Sequence, residues 1–290
     1  MKEFNLIKFD SINQTLSFLA EKQGKCKVIA GGTDLTIALR NEEKEIEKIK
    51  YIVDISSLSE IIGIKLSERN LSIGAATTFT EIIRNKIVER NFSLLFGAAS
   101  QIGSSQIRNM GTIGGNICNL APSADSIAPL LVYNAKVKVI SEKDEKIVSL
   151  KDFFQPDGAK QIDLKNDEIL TEIILPIDEN ILNAKSIFSK LGRRKSVAIS
   201  RMSFALLVKK NREKIIEDIR IGTGAVFRYP RRLFKIENKY LGKHISANFP
   251  AKISHDIAQE VLDKTGIRWS SAYKLPTLQQ ILFRLFEGLI

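Results

Sequence analysis

Three glycines fall close together at Gly111, Gly114 and Gly115, inside the stretch SSQIRNMGTIGGNICNLAPSAD (104–125). Two more stand side by side at Gly31 and Gly32 in VIAGGTDL (28–35). Backbone without side chains can approach another group closely, and consecutive N–H groups in a turn form a concavity that binds an anion. VIAGGTDL reads as a strand, a Gly-Gly turn and a helix beginning at Thr33 or Asp34. Such a junction offers free N–H groups and the positive end of a helix dipole to a phosphate. MGTIGGN offers consecutive N–H groups too, from a loop whose glycines predict irregular backbone. Asn116 can donate and accept at one site, and Asp125 supplies a carboxylate of the kind that pairs with ribose hydroxyls. A single Gly-Gly turn reads as an ordinary tight connection. Two such loops in one domain suit a dinucleotide, whose pyrophosphate needs donors on two sides, the alternative being turns that only shape the chain. The spacing is neither a Rossmann G-x-G-x-x-G nor a P-loop, since no G-K-[ST] follows.

The rest of the inventory excludes more than it offers. The 290 residues include two cysteines, Cys26 and Cys118, and two histidines, His244 and His255. Two cysteines cannot by themselves hold an iron–sulfur cluster or a structural zinc, and they read as buried free thiols of a reducing compartment. Histidine-based acid–base catalysis has almost no raw material. The net charge is +11, but the basic residues are interleaved with acids, as in NEEKEIEKIK. The densest clusters, Arg193-Arg194-Lys195 and Arg228 to Arg232, lack the aromatic interleaving of a single-strand platform. The charge therefore reads as a face for an acidic subunit or an anionic nucleotide, not for nucleic acid. No apolar run approaches about 18 residues, so no membrane span is expected. MKEFNLIKFDSINQ lacks the core of a signal peptide, and the expected location is the cytoplasm.

The elements that would position the loops follow from periodicity. FNLIKF (4–9), CKVIA (26–30) and YIVDI (51–55) read as strands, the second of them buried. INQTLSFLAEK (12–22), with Ser11 as N-cap, and DLTIALRN (34–41) read as helices, giving an α/β alternation. IIGIKLSERNLSIGAATT (61–78) reads as a hairpin. FTEIIRNKIVER (79–90), LLFGAASQIG (94–103) and DSIAPLLVYNA (125–135) read as helices, and KVKVIS, KIVSL and EILTEIILP as strands. Pro176 and IDEN after it read as a linker. Beyond it, AKSIFSKLG, AISRMSFALLVKKN and IEDIRIGTGAVF predict three strands. RRLFKIENKYLG, PAKISHDIAQEVLDKTG and PTLQQILFRLFEGL then predict three helices of a small α+β domain.

AGGTDL, QIRNMGTIGGNICNLAPSAD, EILTEIILP, FSKLGRRKS and GTGAV, in this order, resemble the FAD-binding subunit of the molybdenum hydroxylases, the family of xanthine, nicotinate and aerobic carbon monoxide dehydrogenases. The KLGRRKSVAIS segment looks closest to the bacterial nicotinate and purine branch. The resemblance implies an α+β fold, with a two-part FAD-binding domain of the vanillyl-alcohol-oxidase/MurB-like type over 1–177 (1–56 and 57–177). A C-terminal domain of the carbon monoxide dehydrogenase flavoprotein type would follow over 178–290, with a three-stranded antiparallel sheet and three helices. It implies that Val28, Ile29, Ala30, Gly31, Gly32, Thr33, Asp34 and Leu35 wrap the FAD pyrophosphate, with Thr112, Ile113, Gly114, Gly115 and Asn116 as the opposing loop. Ile102 stands where relatives place an apolar or aromatic contact, often Phe. Asp125 would hydrogen-bond within the FAD. Leu170 would pack near the flavin, and Lys190 would complete the site. On sequence alone Leu170 reads as a core strand leucine and Lys190 as a surface lysine. Some relatives carry an inserted loop that binds a 4Fe–4S cluster through cysteines, which two cysteines in all cannot supply.

The implied role is electron transfer from 2Fe–2S clusters on a small partner to NAD(P)⁺ or another acceptor. A purine or N-heterocycle would be oxidised on a molybdopterin-binding large partner. No catalytic side chain is expected from this chain. The alternatives are a self-contained flavin oxidase or reductase, which would need its own substrate pocket, and a basic scaffold module without flavin.

Overall fold

The computed structural model describes residues 3–43, 46–155, 162–194 and 196–290. Its strands are β1 (Asn5–Lys8), β2 (Cys26–Ile29), β3 (Tyr51–Asp54), β4 (Ile64–Leu66), β5 (Asn70–Gly74), β6 (Lys136–Ile140), β7 (Glu145–Ser149), β8 (Ile169–Pro176), β9 (Lys185–Gly192), β10 (Ser200–Lys210), β11 (Ile216–Gly224) and β12 (Arg231–Arg232). Its helices are α1 (Ile12–Glu21), α2 (Leu35–Arg40), α3 (Phe79–Arg84), α4 (Lys86–Asn91), α5 (Ser93–Ser100), α6 (Ser105–Met110), α7 (Ile113–Asn119), α8 (Ile127–Val132), α9 (Leu150–Phe153), α10 (Glu179–Leu182), α11 (Phe234–Tyr240), α12 (Phe249–Thr265) and α13 (Ser271–Leu289). They gather into two compact units. The first takes 1–89, 102–121 and 133–177, the second 90–101, 122–132 and 178–290.

The first unit holds two sheets. β1, β3 and β2 lie side by side in that order, all parallel, which requires crossover connections. α1 supplies the first crossover, its N-terminus capped by Ser11, and buries Leu16 and Leu19 against Val53 and Ile55. β2 is half-buried rather than buried. The second sheet runs β4-β5-β8-β6-β7, antiparallel throughout. β5 alternates buried and half-buried residues, as does the C-terminal part of β8. That is the pattern of a sheet with one face on a core. The helix expected over 79–90 is two helices. Asn85 leaves helical geometry at ψ 117°, and its Oδ1 accepts from the backbone N–H groups of Ile87 and Val88. An asparagine that caps the next helix ends the previous one.

In the second unit β12, β11, β10 and β9 form an antiparallel sheet. It is one strand wider than expected, because Arg231–Arg232 adds a two-residue edge. β10 is buried along most of its length. Met202, Phe204, Leu206 and Val208 share a core with residues of α11, α12 and α13, among them Ile236, Ile253, Ile257, Leu282 and Phe286. α8, buried at every position, packs on β10 and β11. A Cβ on Gly222 would stand 2.5 Å from the carbonyl oxygen of Ala128, so that glycine sets how closely α8 lies on β11. The expected linker is structured. Pro176 ends β8, while Asp178 caps α10 and pairs with Arg220 at 2.9 Å. Arg220 also pairs with Asp218 at 2.6 Å. Despite burial, which pushes it up, the Arg220 hydrogen bond holds the Asp178 carboxyl below its ordinary pKa.

Candidate functional site

In the first unit β2 ends at Ile29, and the chain turns through Ala30, Gly31 and Gly32 into α2. Gly32 takes a left-handed φ of 67°, which glycine adopts without strain. Gly31 lies directly on the end of α6. A Cβ there would be 1.9 Å from the carbonyl oxygen of Met110 and 3.0 Å from the Cα of Gly111. The two glycine stretches, far apart in sequence, are thus in backbone contact. Asp34 precedes α2 and makes no side-chain cap. Its carboxylate instead accepts from the Thr33 hydroxyl at 3.2 Å. Among the described residues no acceptor meets the backbone N–H groups of Gly31, Gly32, Thr33 and Asp34. Four successive donors on a half-exposed turn are what an oxyanion requires.

The second stretch corrects the expectation of an irregular loop with free donors. Thr112 is the N-cap of α7, and Gly114, Gly115 and Asn116 lie inside that helix. Its first N–H groups are all engaged. Ile113 donates to Thr77, Gly114 to Ala75 and Asn116 to Thr112 through backbone carbonyls, and Gly115 donates to the Thr112 hydroxyl at 3.1 Å. The cap and these tertiary bonds outweigh the low helix propensity of glycine, about 1 kcal/mol per residue. Gly114 is needed for packing, since its Cβ would be 2.6 Å from that of Ala75. Gly115 is exposed, and its Cβ would meet only the Thr112 hydroxyl, at 2.9 Å. Neither has a positive φ. The free donors therefore come from 31–34, and α7 presents a side-chain-free outer face at Gly115. Thr112→Ala, which removes the cap, is expected to cost about 1 kcal/mol of stability. Thr112→Ser should restore most of it, as read by urea unfolding; equal stability of the threonine and alanine forms would contradict the capping role.

Ile102 is half-buried and precedes Gly103, with φ 46°. Arg108 clamps this turn by donating from Nη1 to the carbonyls of Ile102 (2.9 Å) and Gly103 (3.1 Å). Leu170, 4 % exposed, lies in β8 opposite Val139, where the register with β6 shifts.

In the second unit Asp125 and Lys190 form a buried pair. Lys190 Nζ reaches Asp125 Oδ2 at 2.7 Å, with side chains 8 % and 4 % exposed. Ser200 donates to the other Asp125 oxygen at 2.6 Å, and Lys190 also donates to the carbonyl of Gln101 at 2.9 Å. The surface-lysine reading of Lys190 is overturned. The structure brings Asp125 and Lys190 together with Ser200, a residue that sequence reasoning missed. Ser200 follows an unremarkable Ala-Ile, so no local signal marks it.

Both cysteines are free; each residue is half-buried as a whole, and the Cys118 thiol itself is buried. Burial of the thiol pushes Cys118 up to about 12. At pH 8 a thiol of that pKa is ionised to about one part in ten thousand, and only the thiolate reacts. A thiol-reactive disulfide should therefore label Cys118 only on unfolding; rapid labelling of both cysteines in the native protein would contradict this.

Unpaired donors on a glycine turn between a strand and a helix suit the phosphates of a nucleotide. The family described as "FAD binding domain in molybdopterin dehydrogenase" matches residues 2–178, and the "CO dehydrogenase flavoprotein C-terminal domain" matches 187–289. The chain belongs to this family of FAD-binding oxidoreductase subunits, and its cofactor is FAD. It is 31 % identical to the nicotinate dehydrogenase FAD-subunit of Eubacterium barkeri, over 100 % of this chain and 97 % of that one. It is 32 % identical to the xanthine dehydrogenase FAD-binding subunit of Escherichia coli O157:H7, over 93 % and 90 %. The fold is that of a chain in the carbon monoxide dehydrogenase structure from Hydrogenophaga pseudoflava, with TM-score 0.88 and 23 % identity over 99 % and 97 % of the two chains. No helix among the described residues is long and apolar enough to cross a membrane.

Proposed function

We propose that this chain is the electron-transfer subunit of a cytoplasmic molybdenum hydroxylase. It joins a molybdopterin-binding large subunit and a 2Fe–2S small subunit, receives electrons from the clusters and passes them to NAD(P)⁺ or another acceptor. The substrate oxidised on the molybdenum subunit is a purine or N-heterocycle such as xanthine or nicotinate, in keeping with the names of the relatives above. The observation that carries the reading is the set of unpaired N–H groups from Gly31 to Asp34, held against the Met110–Gly111 backbone.

Bound FAD supplies the exchange between single-electron and hydride transfer. The residues of this chain bind and orient it. Val28 to Leu35 take the pyrophosphate on their free donors. Thr112 to Asn116, of which Ile113 to Asn116 have committed N–H groups, contribute the bare surface at Gly115. Ile102, Leu170, Asp125 and Lys190 are the further residues that would hold FAD. In this division residues 1–177 form the FAD-binding domain, with parts 1–56 and 57–177, and 178–290 the C-terminal domain.

The isolated chain, loaded with FAD, is expected to reduce an artificial dye with NADH and to hydroxylate nothing. The measurement is product analysis after incubation with xanthine, hypoxanthine and nicotinate in the presence of the dye. Hydroxylated product from this chain alone would overturn the subunit reading in favour of a self-contained flavoenzyme.

A further inference from the structure

The second unit carries a surface feature that the flavin site does not use. Trp269, the one tryptophan of the sequence, lies between α12 and α13 and is 94 % exposed; Ile267 beside it is 89 % exposed. Tyr273, in the first turn of α13, and Ile199, just before β10, are exposed as well. The Arg201 guanidinium stands 5.9 Å from the centre of the Tyr273 ring, which joins the start of β10 to the start of α13. Lys274 donates to the carbonyl of Ala225. Burial, and then the nearby charges of Arg268 and Arg201, hold its ammonium below the ordinary pKa. Among the described residues none of these three cations forms an ion pair with a carboxylate.

Large apolar side chains almost wholly in water contribute nothing to the stability of the chain that carries them. Trp, Tyr and Arg are the residue types that dominate the centres of protein interfaces. Here the apolar residues stand among crowded cations: Arg268 and Lys274 line one small cavity, and Arg201 lies over the Tyr273 ring. A partner that relieves the crowding has to bring carboxylates. A second copy of this chain, with net charge +11, would set the same cations against each other.

We propose that the Trp269 turn, with Ile267, Tyr273 and the cations Arg201, Arg268 and Lys274, is the docking site for an acidic face of a partner subunit. The existence of that partner rests on the function proposed above. Trp269 is its anchor, and the three cations set the orientation and rate of encounter.

The single tryptophan makes the site its own reporter. The FAD-loaded chain, produced with a fluorinated tryptophan, gives one fluorine resonance, which is followed as the purified molybdenum and iron–sulfur subunits are added. The resonance is expected to shift on assembly. Trp269→Ala should weaken association at least about tenfold at unchanged flavin content, and Arg268→Glu should slow it and flatten its salt dependence. A complex that assembles with the resonance unmoved and is indifferent to Trp269→Ala and Ile267→Ser would overturn this inference alone. So would a resonance that responds only to phosphatidylserine-containing vesicles or to concentration of the chain itself. No complex at all from the unmodified chain would overturn the subunit reading, and this inference with it.

Discussion

Gly31→Ala is expected to yield a protein without bound FAD. The new Cβ would lie 1.9 Å from the Met110 carbonyl oxygen, well inside the 3.0 Å that such atoms keep. The obstacle is backbone, not a side chain that can turn away, so the 30–34 turn and the end of α6 must separate. The donors of Gly31 to Asp34 move with that turn. A hydrogen bond to a charged group is worth about 1.5–3 kcal/mol. Losing two of them corresponds to more than about a hundredfold in affinity. Flavin content by absorbance, with a melting curve to establish folding, is the measurement. A folded Gly31→Ala protein with full flavin would show that this turn does not hold the cofactor. Should Gly31→Ala fail to fold, Gly115→Val reads the same site from outside. Gly115 is exposed and meets only the Thr112 hydroxyl, so the fold survives and flavin content falls, although not through any strain in φ.

Lys190→Met is expected to destabilise the chain by about 3–5 kcal/mol, because it leaves the Asp125 carboxylate buried without its cation. That is a large share of the total stability of about 5–15 kcal/mol that a domain has. The Ser200 hydroxyl remains on Asp125, but a neutral donor does not replace a charge. Adding Asp125→Asn to Lys190→Met should recover most of the loss, since neither charge is then buried. Urea unfolding of the single and double variants measures the coupling. A Lys190→Met protein within about 1 kcal/mol of the parent would contradict the buried pair.

These residues mark where sequence reasoning reaches and where it stops. The Ala30–Leu35 turn was legible because it depends on local properties: a strand ends, two glycines turn, a helix begins. The strands and helices of the second unit were legible for the same reason, apart from the short edge at Arg231–Arg232 and α10, which stands where a linker is expected. The α7 terminus was misread because its backbone bonds go to Ala75 and Thr77, which no local pattern links to glycines at 114 and 115. The family resemblance marks Asp125 and Lys190 separately, but their pairing across 65 positions and the part of Ser200 are facts of packing. The same holds for residues 90–101 and 122–132, which gather with the second unit although both precede 178 in sequence.

The most direct test of the account follows the electrons. The complex is assembled from this chain, with its FAD, and the molybdenum and iron–sulfur subunits. The heterocycle that the complex hydroxylates is then added without an acceptor. The flavin band in the visible spectrum is expected to bleach after the clusters are reduced, and to return when NAD⁺ or another acceptor is supplied. Hydroxylated product and reduced clusters beside a flavin that stays oxidised would contradict an electron-exit role for this chain.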